Sequence, residues 1–370
     1  MTALFHNEAL TAKCRCMMGR LLTKEQYLEL AGQPSLADAV IYLRDETAYA
    51  PILASVDPSR IHRARLEQLL EASLLDTYVK LYTFTSGNER RFIGQLLREY
   101  EIRYLMDAIR ATSDQGNGAM NLSGSIDPSG SIDPLEFYTI PPFIREHASI
   151  DFIRIFKSGS MDEMLHELEG SEYYDILRPV MTGENVRLSD IEATLQRDYY
   201  KKLCTKYANL FDGEQKRHIL QTVHTRIDLF NMSVILRLRR FEAMRSGCEQ
   251  VKLDITEVLP TLIPIFGRLK EADIVNICAD ELDLSQTIER FASILRCDAG
   301  ILSERSSTGS YGSRLLYAQS RRYAASFGAS FDTALGCLSL IRFETDNLIY
   351  ILEALRYGVP AERIEQSIIS

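Results

Sequence analysis

Residues 91–111, RFIGQLLREYEIRYLMDAIRA, carry apolar side chains at Phe92, Leu96, Tyr100, Tyr104 and Ala108, with a second row at Ile93, Leu97, Leu105 and Ile109. That spacing predicts an amphipathic helix. Glu101 interrupts the second row between Leu97 and Leu105, so the pattern puts a carboxylate on the buried side. A charge there needs a partner. The arrangement returns at Asp228-Leu-Phe-Asn231-Met232 and at Glu344-Thr-Asp-Asn347-Leu348, with Tyr104 standing where the later copies have Asn. The acids at 101, 228 and 344 are 127 and 116 positions apart. This period exceeds a solenoid repeat and matches a small domain. The chain therefore reads as one helical unit in three copies.

At 370 residues the chain is past the size, about 250–300 residues, at which single cores split. The recurrence places the domains at 1–112, 113–245 and 246–370. Residues 112–135, TSDQGNGAMNLSGSIDPSGSIDPL, are rich in Gly, Ser, Asn and Asp and read as a loop, so 113–135 is assigned as a linker or insertion. The formal net charge of −9 opposes nucleic-acid binding, which needs a basic footprint. The densest basic group, Arg237, Arg239, Arg240 and Arg245, lacks interleaved stacking aromatics and reads as a solvated or ion-paired face. Seven scattered cysteines read as reduced thiols of a cytoplasmic protein. The first residues show no signal-peptide succession, and no run approaches the ~18 apolar residues of a membrane span.

Along the chain, Thr23 and Gln26 form a capping-box pattern, and Ser35 follows Pro34 as a helix N-cap. A long helix is expected over 60–82. In the second copy, Ser160 takes the place of Ser35, Leu168 to Leu177 that of Leu43 to Leu53, and Ile191 to Tyr207 that of Leu66 to Tyr82. The third copy is less regular. Helical material runs from Ile274 to Leu295, a second Ser/Gly loop covers 306–313, and helices return at 315–323 and 331–355. Gly358 and Pro360 separate a short closing helix. No alternating strand pattern interrupts the helices.

A search for chemistry finds no constellation. His166-Glu167 begins like a zinc-protease helix, but Gly170 stands where the second histidine belongs. His218 and His224 diverge on a helix, and Cys14-Arg-Cys16 lacks metal spacing. Asp280-Glu281-Leu-Asp283 suits a solvated helix terminus better than a Mg²⁺ site. No phosphate cradle or serine elbow is present. No catalytic residue, cofactor or metal is expected.

The residues with a threefold echo are Glu101, Tyr104, Asp228, Asn231, Glu344 and Asn347. Two readings of the three acids stand side by side. They form a ring that grips a basic shaft or an ion, or each holds its own unit together by accepting from a neighbouring helix N-terminus or a basic residue. Tyr104 in place of Asn favours the second.

With these residues in view, the chain resembles the C subunit of the A-type and V-type rotary ATPases, whose eukaryotic counterpart is the d subunit. The resemblance runs from about Leu10 to Ile364. It rests on the ordered series Leu43-Arg-Asp-Glu-Thr-Ala-Tyr49, Tyr100-Glu101-Ile-Arg-Tyr104-Leu105, the Asp228 and Glu344 segments, and Arg356-Tyr-Gly358-Val-Pro360-Ala-Glu362-Arg-Ile364. It implies an all-α protein of three similar helical domains around a pseudo-threefold axis, shaped like a funnel. It also implies a non-catalytic central-stalk adaptor, peripheral to the membrane, between the rotor shaft and the membrane rotor ring of a complex that moves H⁺ or Na⁺. Its partners would be those rotor subunits, with no small-molecule substrate. The alternatives are a general all-α scaffold unrelated to rotary ATPases and a helical enzyme using the Asp280 cluster.

Overall fold

Short polar residues start the helices where the sequence places them. Thr23 accepts from the Gln26 amide at 3.2 Å while the Gln26 side chain accepts from the Thr23 amide at 3.0 Å, opening α2 (Lys24–Ala31). Ser35 caps α3 (Leu36–Glu46) through the Asp38 amide at 3.2 Å. Such caps are worth about 1 kcal/mol each. A computed structural model describes residues 2–60, 63–116, 140–183, 186–303, 311–326 and 330–369. The described residues are all-α, without a strand; one isolated antiparallel bridge joins Val251 and Leu282.

The remaining helices are α1 (Thr2–Met18), α4 (Ala50–Leu53), α5 (Arg63–Phe84), α6 (Gly87–Gly116), α7 (Pro142–His147), α8 (Phe152–Lys157), α9 (Met161–Glu167), α10 (Tyr174–Met181), α11 (Leu188–Lys202), α12 (Gly213–Ser246), α13 (Leu259–Leu262), α14 (Glu271–Ala279), α15 (Leu284–Leu295), α16 (Ala299–Ser303), α17 (Ser313–Ala324), α18 (Phe331–Arg356) and α19 (Ala361–Ser367). In element order, three helices of 12 residues or fewer, a fourth of 12 to 22 and a long fifth of 26 to 34 follow one another as α2–α6, α8–α12 and α14–α18. The second helix of each series has a side-chain N-cap, Ser35, Ser160 or Asp283.

Three boundaries differ from the sequence reading. Helix α6 continues to Gly116, because nothing before Gly116 stops it; the rest of the 113–135 linker lies outside the described residues, as does most of the 306–313 loop. Residues 274–295 form two helices, since Asp280 ends α14 and Asp283 caps α15 through the Gln286 amide at 2.7 Å. Past α11, a π turn (Leu203–Tyr207) and a 3₁₀ turn (Ala208–Leu210) replace regular helix.

The helices group into two compact units. The first comprises Met1–Arg90, Leu210–Thr256 and Phe266–Ser370, and the second Arg91–Asn209 and Glu257–Ile265. In the first, the two ends of the chain share one core. Leu30, Val40, Leu43, Leu53, Leu66 and Leu70 pack with Leu348, Ile351, Leu352, Ile364 and Ile368. Glycine permits a close helix contact in this unit: a Cβ on Gly336 of α18 would lie 2.5 Å from the Ala324 backbone nitrogen and 2.6 Å from the Ser320 carbonyl oxygen of α17. In the second unit, Phe92, Ile93, Leu97, Leu105 and Ile109 of α6 are buried, as are Phe152, Ile155, Leu177, Ile191 and Leu195. The Arg197 guanidinium donates to the Pro260 and Pro264 carbonyls, both at 2.9 Å, fixing the α13 segment on α11.

Arg239 departs from the solvated face expected of the basic group. Arg237, Arg240 and Arg245 are exposed, but Arg239 is 1% exposed and donates to the carbonyls of Val251, Ile277, Asp280 and Leu282. Ile277 and Asp280 lie at the end of α14, where orphan carbonyls and the negative end of the helix dipole favour a cation. Helical periodicity puts Arg239 in line with Ile235 and Met232, both fully buried. A planar guanidinium reaches several acceptors at once, and an ammonium does not. Arg239→Lys is therefore expected to lower the unfolding free energy by about 2–3 kcal/mol. A urea titration checks it, and an unchanged midpoint would contradict the assignment.

Candidate functional site

Each of the three echoed acids lies on the buried side of a long helix, as the row-breaking pattern predicts. Glu101 is 2% exposed, Asp228 0% and Glu344 5%. Each accepts from backbone N–H groups just ahead of a short helix. In the first unit, Glu344 of α18 accepts the Leu22 amide at 2.5 Å on Oε2 and the Tyr49 hydroxyl at 2.8 Å on Oε1; Leu22 precedes Thr23, the N-cap of α2. Asp228 of α12 accepts the Leu269 amide at 3.1 Å on Oδ1, and the Arg268 amide at 3.1 Å and Nε at 3.2 Å on Oδ2. Leu269 precedes Lys270, the N-cap of α14. In the second unit, Glu101 of α6 accepts the Ser149 amide and hydroxyl, both at 3.2 Å, on Oε1, and Arg98 on Oε2. Ser149 stands two residues before Asp151, the N-cap of α8.

The carboxylates thus occupy the positive end of a helix dipole and supply acceptors to amides that the helix leaves unpaired. Leu22 and Ser149 are 127 positions apart, as are Glu101 and Asp228. The donor sets differ in charge. Arg98 continues from Glu101 to Glu172 at 3.4 Å, and Glu172 to Lys202 at 2.6 Å. Asp228 has Arg268. Glu344 has two phenols nearby, Tyr27 and Tyr49, and no ion pair among the described residues. Burial pushes the Tyr49 hydroxyl well up, aided by the Glu344 charge; Tyr173 is pushed up in the same way by burial and then by Glu101. Burial also raises the Asp228 carboxyl against its three hydrogen bonds and the Arg268 charge. The Glu344 carboxyl is pushed up to about 7, first by burial, with the Leu22 amide and the two phenols acting against it.

The one-turn companions differ as well. Asn347 is buried and brackets the chain end, donating to the Ile369 carbonyl at 2.8 Å and accepting the Ile369 amide at 3.2 Å. Asn231 is fully buried. Tyr104 is half-buried, its ring edge-on to Phe152 at 6.1 Å. Sequence reasoning missed the donors. Gly267 is the readable signal: a Cβ there would lie 2.5 Å from Asp228 Oδ1 and 2.7 Å from the His224 carbonyl, so only glycine lets Arg268 and Leu269 wrap the carboxylate. Gly19-Arg20-Leu21 repeats these residue types, but a Cβ on Gly19 would meet only the carbonyls of Arg15 and Cys16, at 3.4 and 3.8 Å.

The other residues weighed from the sequence take structural places. His218 Nδ1 lies 3.0 Å from Asp332 Oδ2, and the Tyr323 ring lies 4.7 Å from the His218 ring. Cys14 is buried and Cys16 exposed. Asp280 pairs with Arg290 at 3.1 Å. Among the described residues, no group of three or more His, Cys, Asp or Glu side chains is placed to hold a metal, and no helix is long and apolar enough to cross a membrane. What this arrangement does chemically is accept hydrogen bonds and tie long helices to short ones.

The pattern of the ATP synthase (C/AC39) subunit family matches residues 10–367. The chain is similar to the A-type ATP synthase C subunit of Pyrococcus horikoshii, at 31% identity over 231 residues, covering 62% of this chain and 55% of the relative. It is also similar to that of Thermococcus onnurineus, at 29% over 275 residues, covering 74% and 64%. The corresponding protein of Methanosphaera stadtmanae matches at 23% over 230 residues, covering 62% and 53%. The chain thus spans a little over half to two thirds of the length of these relatives.

Glu344 makes stability depend on pH in a definite direction. Its folded pKa, about 7, lies above the unfolded value of about 4.5, so the folded state holds the extra proton between them. Stability therefore falls as pH rises from about 4.5 through 7. The amount is on the order of 3 kcal/mol. Glu344→Gln keeps a neutral acceptor and removes the titration. The wild-type minus Glu344→Gln difference in unfolding free energy is expected to fall by that amount between pH 5 and pH 8; a flat difference would count against the burial argument.

Proposed function

We propose, since this chain belongs to the ATP synthase (C/AC39) subunit family, that it is a non-catalytic coupling piece of a rotary ATPase. In this reading it joins the rotor shaft to the membrane rotor ring and carries torque for H⁺ or Na⁺ transport or ATP synthesis. It works at the membrane surface through the complex without spanning the bilayer. The observation that carries the reading is the family match, which runs through the helical body from residue 10 to 367.

The physical requirements of such a piece agree with it. Torque transmission needs helices that do not slide under shear. Here α18 is tied at Glu344 to the segment before α2, and at Asn347 to the chain end; α12 is tied at Asp228 to the start of α14. Buried charges with fixed donors oppose slippage, because a displaced carboxylate loses all its partners at once. We further propose that the body consists of three copies of one unit, 1–112, 113–245 and 246–370. The recurring helix order and the three long-helix acids, each bonded to an amide ahead of a short helix, support that division.

Two measurements test the function. A tag on this chain is expected to bring down the central-stalk subunits in stoichiometric amounts; an intact rotary ATPase isolated without the chain would overturn the reading. Cells lacking the chain are expected to retain ATP hydrolysis by the soluble head while ATP-driven ion transport falls to background. Unchanged transport would contradict a coupling role.

A further inference from the structure

We propose that the C-terminal ends of α12 and α18 form one docking surface for an amphipathic helix of a partner protein, with acidic residues flanking its apolar stripe. The proposal rests on the adaptor reading for the source of the partner.

Helix directions come first. Just ahead of α17, the Tyr311 amide donates to Ser233 Oγ at 3.2 Å, and Gly312 sits tight against Leu229 and Met232. Near the other end of α17, the Tyr323 hydroxyl donates to Gln221 at 3.0 Å. Rising numbers on α17 thus meet falling numbers on α12. On α18, Gly336 abuts Ser320 and Ala324, while Phe343 meets Tyr317 edge-on at 5.4 Å, so α17 is antiparallel to α18 as well. Helices α12 and α18 are therefore parallel, and their C-terminal ends emerge on the same side of this unit.

The three most exposed large apolar side chains among the described residues lie at those two ends: Phe241 at 62%, Met244 at 79% and Tyr357 at 67%. Each aromatic follows an arginine, Arg240 or Arg356. The pairs stand 12 and 13 positions after Asp228 and Glu344 respectively. Glu101 is followed at that register by Ser113 and Asp114, so the feature belongs to this unit alone.

The occupant follows from spacing and charge. Phe230, Val234, Arg237, Phe241 and Met244 are separated by 4, 3, 4 and 3 residues. This is the stripe by which one helix packs along another, and it extends about 21 Å at 1.5 Å per residue. Phe230 is 41% exposed and Val234 half-buried, so the stripe is open along its length. Arg245 pairs with Glu242 at 3.0 Å, whereas Arg237 and Arg240 have no carboxylate partner among the described residues and Arg356 lies over Tyr357. A partner with acidic flanks completes them. An anionic membrane surface is a poorer fit, because the chain carries −9 overall and the apolar row runs along a helix side rather than across its tip.

The test is photo-cross-linking within the assembled complex. Benzoylphenylalanine is placed at Phe241, at Tyr357, and at exposed Glu214 in the first turn of α12 as a control. The result expected is that positions 241 and 357 capture the same subunit, through a peptide whose apolar helical stripe is flanked by Asp or Glu, and that position 214 does not. Arg240→Glu with Arg356→Glu is expected to lower both yields about tenfold while the thermal melt stays unchanged. Adducts to lipid, to two different subunits, or none at all from a chain that still co-purifies would overturn the surface and leave the adaptor reading standing. A chain absent from the complex would overturn both.

Discussion

A carboxylate out of water with too few donors costs several kcal/mol, and the fold supplies donors to three of them in one way. Glu101, Asp228 and Glu344 each meet amides immediately ahead of a short helix. The amide partner is never in the acid's own series of helices. Glu101 and Asp228 reach forward by about 40 to 48 residues, to Ser149 and Leu269. Glu344 reaches back 322 residues to Leu22. The long helix of each series thus braces the start of another, and the last one brings the chain's two ends into a common core.

That pattern explains how much was legible in advance. Helix faces follow from local periodicity, so the burial of Glu101, Asp228 and Glu344 and the N-caps at Thr23, Ser35 and Ser160 were readable directly. Partners distant in sequence were not. Nothing local to Glu344 names Leu22 or Tyr49, and periodicity says which side a residue faces without saying what lies opposite. Arg239 was misread because its neighbours Arg237 and Arg240 are exposed, although its register with Ile235 and Met232 pointed inward. Gly267 carried a signal that only close backbone approach makes intelligible.

The three supports are alike in position and unlike in charge. Arg98 and Arg268 neutralise Glu101 and Asp228, whereas Glu344 is held by an amide and phenols, and burial raises its pKa. The joint between the chain ends therefore depends on protonation near neutral pH. Elsewhere the body is stiffened by the Arg239 guanidinium over four carbonyls and by the glycine contact of α18 with α17. The proposed coupling role asks for this kind of body, with polar groups holding helices in register.

The central claim is that each buried acid protects the backbone amide ahead of the helix it braces. Amide hydrogen exchange on the intact protein reads this directly at Leu22, Ser149 and Leu269, compared among wild type, Glu344→Gln, Glu101→Gln and Asp228→Asn. The account predicts that each substitution accelerates exchange chiefly at its own partner, Leu22, Ser149 or Leu269 respectively, while the other two amides stay protected. Uniform exchange across all three variants, or protection unchanged at the matched amide, would contradict it.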